Sequence, residues 1–169
     1  LLARLPNIAH AYVYEPHPGN FEFLSFNLAP FERIDFVNAA LADTDGRLEF
    51  FLDPDNCGNY SLNRAVMSAE HSSIVVEARS ASRESQRWLA DSNPIFYKSD
   101  TQGYDELIAT QFDRRFWSLV VGGIMELWRI EKPAYEAAKL EEILDGFPNK
   151  ILLQNPTQRL STAQVLDYA

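Results

Sequence analysis

Three segments that the sequence predicts as β-strands end in acidic residues. Glu15 ends the run at residues 11–15, Asp100 ends the run at 94–100, and Glu126 lies near the end of the run at 120–127. Ligands of open α/β sheets bind outside the carboxyl ends of the strands. A carboxylate there can accept hydrogen bonds from ribose hydroxyls or take a proton from a reacting hydroxyl. We therefore predict that the three carboxylates line one crevice.

The first of these residues allows two interpretations. Glu15 stands directly before Pro16, His17 and Pro18, a sequence that stops a strand and lets Pro18 open a helix. In that position the carboxylate can hold the ribose of a nucleotide-like cofactor. It can equally be a solvated acid beside a turn, and the position alone does not decide between the two.

The elements that must position these residues alternate between strand and helix. A strand, helix and second strand in succession favour a right-handed crossover with parallel strands. We therefore predict a single α/β domain over residues 1–169, with its main strands in one mainly parallel sheet. Those main strands are predicted at residues 11–15, 33–38, 95–100 and 118–126, and further strands at 47–52, 73–78 and 150–154. Helices are predicted at residues 19–28, 82–91, 104–112 and 133–145. A capping box of Ser161 and Gln164 predicts a terminal helix.

Composition excludes several classes of function. Asp and Glu total 24 against 15 Lys and Arg, a net charge of -9, and no basic run offers a footprint for nucleic acid. The single cysteine, Cys57, has no partner for a disulfide and no metal-ligand spacing around it. The apolar run at residues 119–128 contains Glu126 and has about half the length of a membrane span. With no signal-peptide pattern at the start, we expect a cytoplasmic protein without a membrane span.

Four blocks of sequence occur in an order that is more specific than any one of them. They are Tyr14-Glu15-Pro16-His17-Pro18-Gly19-Asn20-Phe21, Val37-Asn38-Ala39-Ala40-Leu41-Ala42-Asp43 with Gly46, Asn56 with Ser61-Leu62, and Lys98-Ser99-Asp100-Thr101-Gln102-Gly103-Tyr104-Asp105. In this order, over residues 11–128, they resemble the FkbM-type family of S-adenosylmethionine-dependent methyltransferases.

The resemblance implies a Rossmann-like methyltransferase sheet, S-adenosylmethionine as the cofactor and no metal. The implied reaction is O-methylation of a hydroxyl on a sugar or natural product. By the same resemblance, Asp100 is the first choice for the group that takes or orients the acceptor's proton, and Glu126 the second. The implied cofactor contacts are Glu15, Pro16, His17, Ala40, Leu41 and Asp100, and the implied acceptor contacts are Asn56, Ser61, Gln102 and Gly103.

Two departures from the family pattern change what we expect. The family block has Asp-Val-Glu-Gly or similar, where this chain has Asp100-Thr101-Gln102-Gly103. The family's first strand and glycine-rich loop precede the strand that ends at Glu15, and only residues 1–10 stand there. We therefore expect an N-terminally truncated domain whose first central strand is missing. Direct pairing of its neighbours, a borrowed strand or a split sheet would follow, and the 169 residues alone would neither bind the cofactor tightly nor transfer a methyl group.

Other interpretations stay open. The same sheet is compatible with a non-catalytic scaffold or a partner-binding domain. A nucleotide-dependent enzyme such as a dehydrogenase is a third hypothesis, against which the block at residues 98–103 argues. Asn56 and Ser61 are equally typical of loop turns. Cys57 is interpreted as a small filler, because no Lys, Arg or His within three residues would lower the pKa of its thiol.

Overall fold

The computed structural model describes residues 8–129 and 131–168 and has an α/β architecture. Short 3-10 helices occur at Cys57–Asn59 and Arg64–Val66. The strands are β1 (Ala11–Tyr14), β2 (Ile34–Val37), β3 (Ala40–Ala42), β4 (Gly46–Leu52), β5 (Ser72–Ser80), β6 (Ile95–Ser99), β7 (Val120–Met125), β8 (Lys150–Leu152) and β9 (Asn155–Leu160). The helices are α1 (Pro18–Leu28), α2 (Ala81–Trp88), α3 (Asp105–Gln111), α4 (Arg114–Leu119), α5 (Ala137–Asp145) and α6 (Thr162–Leu166).

The four strands that carry the predicted site form two parallel pairs. In the first pair, Ala11 of β1 lies opposite Ile34 of β2, and the register continues to the ends of both strands. In the second pair, β6 and β7 shift register once after Ile95 and then run in step until Ser99 lies opposite Met125. The predicted parallel orientation is therefore confirmed within each pair.

The prediction that these four strands share one sheet is wrong. Within the described part of the chain, β1 pairs only with β2, and β6 pairs only with β7. Side chains join the two pairs instead, because Tyr14 of β1 and Phe112 both lie against Trp88 of α2, with ring centroids 5.9 and 5.8 Å from it. Tyr97 of β6 contacts Phe112 as well, at 5.6 Å.

The remaining strands form two further sheets. β5 lies between β3, which is parallel to it, and β4, which is antiparallel, so this sheet is mixed. β8 and β9 form an antiparallel hairpin. β3, β4 and β5 thus form a sheet that is separate from that of β1 and β2.

The larger core cluster includes Val120 of β7 and packs against Ile95 and Tyr97 of β6. Its buried members come from α2, α3, α4 and the residues that flank them, and its centre is a stacked pair of rings, Phe112 and Phe116, 4.2 Å apart. Ala40, Phe50 and Val76 of the mixed sheet form a smaller hydrophobic cluster. Phe116 is 1% exposed.

Helix signals in the sequence mark some boundaries correctly and miss others. Pro18 opens α1 and the capping box of Ser161 and Gln164 opens α6, both as predicted, whereas the cap of α1 by the His17 side chain was not predicted. Residues 118 and 119 were predicted as strand but end α4, which begins where the Asp113 carboxylate accepts a hydrogen bond from the backbone N–H of Phe116 at 2.8 Å. The helix predicted from residue 133 begins only at Ala137.

No helix in the described ranges is long and apolar enough to cross a membrane.

Candidate functional site

Asp100 and Glu126 meet where β6 and β7 end. Because Ser99 lies opposite Met125, the residues that follow them leave the sheet at the same level. The Nε2 amide of Gln102 donates hydrogen bonds to Asp100 Oδ1 and to Glu126 Oε2, each at 2.9 Å. Two carboxylates that the sequence assigned to one crevice are therefore held by the same amide group.

The turn that carries this amide has an uncommon backbone. Gln102 has a φ of 54° and Gly103 a φ of 83°. The left-handed region costs a residue with a Cβ atom roughly 1–2 kcal/mol, whereas glycine adopts it freely. Contacts from a distant loop stabilise the turn, because Ser61 Oγ donates to the Gln102 carbonyl at 2.6 Å and Asn63 Nδ2 donates to the Gly103 carbonyl at 3.3 Å.

The buried acid Asp105 holds the same turn in place through hydrogen bonds. The side chain of Asp105 is inaccessible to solvent and accepts hydrogen bonds from Ser99 Oγ at 2.5 Å, Thr101 Oγ1 at 2.8 Å and Thr101 N at 3.2 Å. Burial raises the pKa of this carboxyl, and the three hydrogen bonds oppose that rise. Asp105 therefore joins the end of β6 to the start of α3 and sets the direction in which Asp100 leaves the sheet.

The two carboxylates have different electrostatic surroundings. Burial alone would raise the pKa of Asp100, but the hydrogen bond and charge of Lys98 Nζ, 2.9 Å away, together with Gln102, bring it below the ordinary value. Burial raises the pKa of Glu126, and the charge of Asp100 adds to that rise against a contribution from the Trp128 indole. Glu126 is therefore the member of the pair that holds a proton to higher pH.

Glu15 lies at the end of β1, and its own turn satisfies it. Its Oε1 accepts a hydrogen bond from the backbone N–H of His17 at 2.8 Å. Asn38, which follows β2, donates from Nδ2 to the carbonyls of Glu15 and Pro16 at 2.8 and 3.1 Å. Burial raises the pKa of the Glu15 carboxyl, and the hydrogen bond from His17 opposes it. The carboxylate is half-buried and held in place by local contacts.

A loop from the mixed sheet closes beside this turn. The rings of His17 and Tyr60 lie 4.8 Å apart, and Asn20 Nδ2 reaches the carbonyl of Cys57 at 3.5 Å. Asn56 accepts from the backbone N–H of Gly58 at 3.0 Å and so caps the short helix that begins there. Cys57 is exposed. Asn56 therefore lies near the Glu15 turn, away from the Asp100 and Glu126 pair.

Three other residues of the predicted site are largely engaged in packing or in loop structure. Ser61 is fully buried; besides donating to the Gln102 carbonyl, its Oγ accepts from the backbone N–H of Asn63 at 2.8 Å. Ala40 is 5% exposed, with its side chain in the core of the mixed sheet. Leu41 is half-buried against the aromatic core.

The predicted site residues thus fall into two groups. Pro16, His17 and Asn56 gather around Glu15, whereas Ser61, Gln102 and Gly103 gather around Asp100 and Glu126. Among the described residues, no hydrogen bond joins Glu15 or His17 to Asp100, Gln102 or Glu126. The structure does not bring all three strand-end carboxylates into direct contact.

Two residues that organise the site were not singled out from the sequence. Asp105 stands in the fourth block of the family resemblance, five residues after Asp100, but nothing in its spacing indicates burial. Asn63 bonds to the Gly103 carbonyl 40 positions away and, at 2.9 Å, to the Glu131 carbonyl 68 positions away. A single sequence carries no signal for contacts of that range.

Comparisons with protein-family models, curated proteins and solved structures found no match to this chain. In the part of the chain that the structure describes, no group of three or more His, Cys, Asp or Glu side chains is arranged to hold a metal ion.

Proposed function

We propose that this chain is an S-adenosylmethionine-dependent methyltransferase domain that methylates a hydroxyl group on a sugar or natural product. The observation that supports the proposal best is the carboxylate pair of Asp100 and Glu126, held by Gln102 at the ends of two adjacent parallel strands. This is the edge of an α/β sheet at which ligands bind.

The proposed cofactor fits the Glu15 turn in part. Glu15 is half-buried at a strand end and would hold the ribose, with Pro16 and His17 beside it. Leu41 and the backbone of β3 would line the adenine side, because the Ala40 side chain is already buried in the core. When bound, S-adenosylmethionine would supply the electrophilic methyl group.

The carboxylate pair would act on the acceptor. Methyl transfer needs little beyond the correct position of the acceptor oxygen and the removal of its proton. Glu126 is the better candidate to receive that proton, because its surroundings raise its pKa, whereas Asp100 is paired with Lys98. Gln102 would keep the two carboxylates in place, and Asp100 would orient the acceptor hydroxyl. This order reverses the one expected from the sequence.

The finer fold assignment is part of the same proposal. We propose that the pairs β1–β2 and β6–β7 are two portions of one Rossmann-like sheet, separated by the position of a single strand. Both pairs are parallel, and both inner strands direct aromatic side chains at the same buried cluster. Among the described residues, β1 and β6 each pair on one side only, and a further strand could add to the other side of each.

Calorimetry with S-adenosylmethionine tests the proposal on the protein expressed from its whole reading frame. Glu15→Ala is expected to weaken binding by about 1–3 kcal/mol, the loss of a charge-assisted acceptor. Glu22→Ala, an exposed change on α1, serves as the matched control and should leave the affinity unchanged. Equal affinities for Glu15→Ala and the parent would remove Glu15 from the site, and no binding by the parent would contradict the proposal.

A partner-binding domain is the second candidate function. In the part of the chain that the structure describes, β1 and β6 each have one edge without a paired strand, and an extended segment of another protein can add to such an edge. The same calorimetric experiment separates the two functions, because a partner-binding domain has no affinity for S-adenosylmethionine.

A further inference from the structure

A cleft of about 560 Å³ has Asn63, whose side-chain amide contacts the Gly103 carbonyl, in its lining. Its size falls within the roughly 300–1,000 Å³ that small-molecule sites occupy. One wall comes from the short 3-10 helix after Ser61 and the other from the segment before α5. The lining residues are Asn63, Arg64, Ala65, Glu131, Lys132 and Pro133.

Asn63 connects this cleft to the proposed catalytic residues. Its side chain is 7% exposed, and its Nδ2 donates both to the Glu131 carbonyl and to the Gly103 carbonyl. Gly103 follows Gln102, the residue that holds Asp100 and Glu126. A molecule in the cleft would therefore lie next to the turn that positions the two carboxylates.

Lys132 is a preorganised hydrogen-bond donor in one wall. Its side chain is only 11% exposed, and its Nζ lies 2.6 Å from Oε1 of Glu106, which is itself 1% exposed. The Tyr135 ring lies 5.8 Å from the same nitrogen. An ammonium group has three donors, so the bond to Glu106 leaves others for a ligand. Glu106 offsets the positive charge of Lys132, which therefore contributes hydrogen bonds more than net charge.

Arg64 supplies uncompensated positive charge on the other wall. It is exposed, and no carboxylate of the described residues lies within salt-bridge distance of it. Glu131 also lines the cleft and opposes the binding of an anion.

We infer that this cleft binds the anionic group, a carboxylate or a phosphate, of a small molecule that lies between Arg64 and Lys132. A guanidinium group matches both anions because its planar donors can bond two oxygens at once. Identifying that molecule as the methyl acceptor rests on the proposed function. The preference for an anion does not, because it follows from the cleft alone.

Titration followed by backbone amide chemical shifts tests the inference on the protein from its whole reading frame. The probes are inorganic phosphate, glucuronate and glucose, each without S-adenosylmethionine. We expect saturable shifts at residues 63–65 and 131–132 with an anion and none with glucose. A response to phosphate alone identifies a phosphate group as the ligand chemistry, and a response to glucuronate alone identifies a carboxylate. No saturable shift with either anion, or an equal response to glucose, would overturn the inference.

Two variants with opposite expected effects sharpen the test. Arg64→Gln should weaken binding of the anion about tenfold, as expected for the loss of one charge-assisted hydrogen bond. Glu131→Gln should strengthen it roughly two- to fivefold by removing an opposing charge near the surface. Arg114→Gln, at a side chain that is 93% exposed on α4, is the matched control and should change nothing. An unchanged affinity in Arg64→Gln, or a weaker one in Glu131→Gln, contradicts the inference.

Failure of this inference is distinguishable from failure of the proposed function. The anion probes need no cofactor. A protein that binds them at the cleft but does not bind S-adenosylmethionine would therefore support the anion site and contradict the methyltransferase proposal. A protein that binds S-adenosylmethionine but none of the anion probes would support the methyltransferase proposal and contradict the inference that its acceptor carries an anionic group. Lys132 is left unchanged throughout, because its removal would leave Glu106 buried without a partner.

Discussion

The two parallel strand pairs hold their terminal carboxylates in different ways. After β1, Glu15 accepts a hydrogen bond from the N–H of His17, two positions along the chain. After β6, Asp100 reaches Glu126 of the neighbouring strand only through Gln102, whose left-handed backbone depends on Ser61, 41 positions away. The first arrangement is local and unstrained, whereas the second depends on tertiary contacts.

This difference predicts where the molecule is sensitive to substitution. A site built from neighbouring residues survives the loss of distant contacts, but a strained turn persists only where its surroundings over-determine it. Substitutions around β6 and β7 should therefore affect stability more than substitutions around β1. The following predictions test that contrast.

The largest effect is expected at the buried acid beneath the turn. Asp105→Ala leaves the hydroxyls of Ser99 and Thr101 and the backbone N–H of Thr101 without their acceptor. Unsatisfied buried groups cost about 1–3 kcal/mol each, so we expect the free energy of unfolding in urea to fall by about 3–5 kcal/mol. Asp55→Ala, an exposed change, should fall within about 0.5 kcal/mol of the parent. Similar effects in the two variants would remove the turn's dependence on Asp105.

Adjacent glycines in β7 provide a second test in the same region. A Cβ added at Gly123 would lie 2.6 Å from the carbonyl oxygen of Tyr97, whereas one added at Gly122 would lie 3.7 Å from the Phe96 ring. Gly123→Ala must push β6 and β7 apart, and we expect a loss of about 2–3 kcal/mol in the free energy of unfolding. Gly122→Ala makes an ordinary contact and should cost no more than about 0.5 kcal/mol. Equal losses would mean that the pairing of β6 with β7 tolerates more movement than its geometry indicates.

Tyr14 makes a long-range polar contact on the β1 side, and we expect its loss to cost less. Tyr14 Oη donates to Oε2 of Glu84 on α2 at 2.5 Å, and Arg87 Nη1 contacts the same oxygen at 3.0 Å. Tyr14→Phe keeps the ring against Trp88 and removes one hydrogen bond to a charged group, so we expect about 1.5–2 kcal/mol less stability to urea. Tyr12→Phe, at a more exposed hydroxyl on the same strand, is the control. A loss as large as that of Asp105→Ala would reverse the contrast between the two regions.

The sequence was informative wherever the cause of a feature is local. The start of α1 at Pro18, the capping box of α6 and the parallel direction within each pair follow from residues within a few positions or from one strand–helix–strand unit. The aromatic cluster that joins the two pairs was not predictable, because Trp88, Phe112 and Tyr97 come together from distant parts of the chain. The burial of Asp105 was missed for the same reason.

For the site residues too, what could be predicted from the sequence has a local cause, and what could not depends on long-range contacts. The placement of Glu126 beside Asp100 followed from strand ends alone, since parallel neighbours finish at one edge of a sheet. The engagement of Ser61 and Asn63 with the Gln102 turn depends on a loop from another sheet. Their chemistry as polar residues was visible in the sequence, but the groups that they bind were not.

The smallest expected effect is a pH dependence with opposite signs at the two carboxylates of the pair. Glu126 has a raised pKa in the folded state, so its contribution to stability is present below its ordinary value of 4.5 and is lost as the pH rises through the folded value. Asp100 has a lowered pKa, so its contribution is present above 3.8 and is lost as the pH falls through its folded value. Glu126→Gln should therefore gain stability relative to the parent between acidic and neutral pH, and Asp100→Asn should lose it.

Each difference in the free energy of unfolding should stay below about 1 kcal/mol, because solvent screens groups that are this exposed. Urea unfolding at pH 3 and pH 7 measures both signs, and changes of the same sign in the two variants would show that the carboxylates do not titrate as an unequal pair sharing the Gln102 amide.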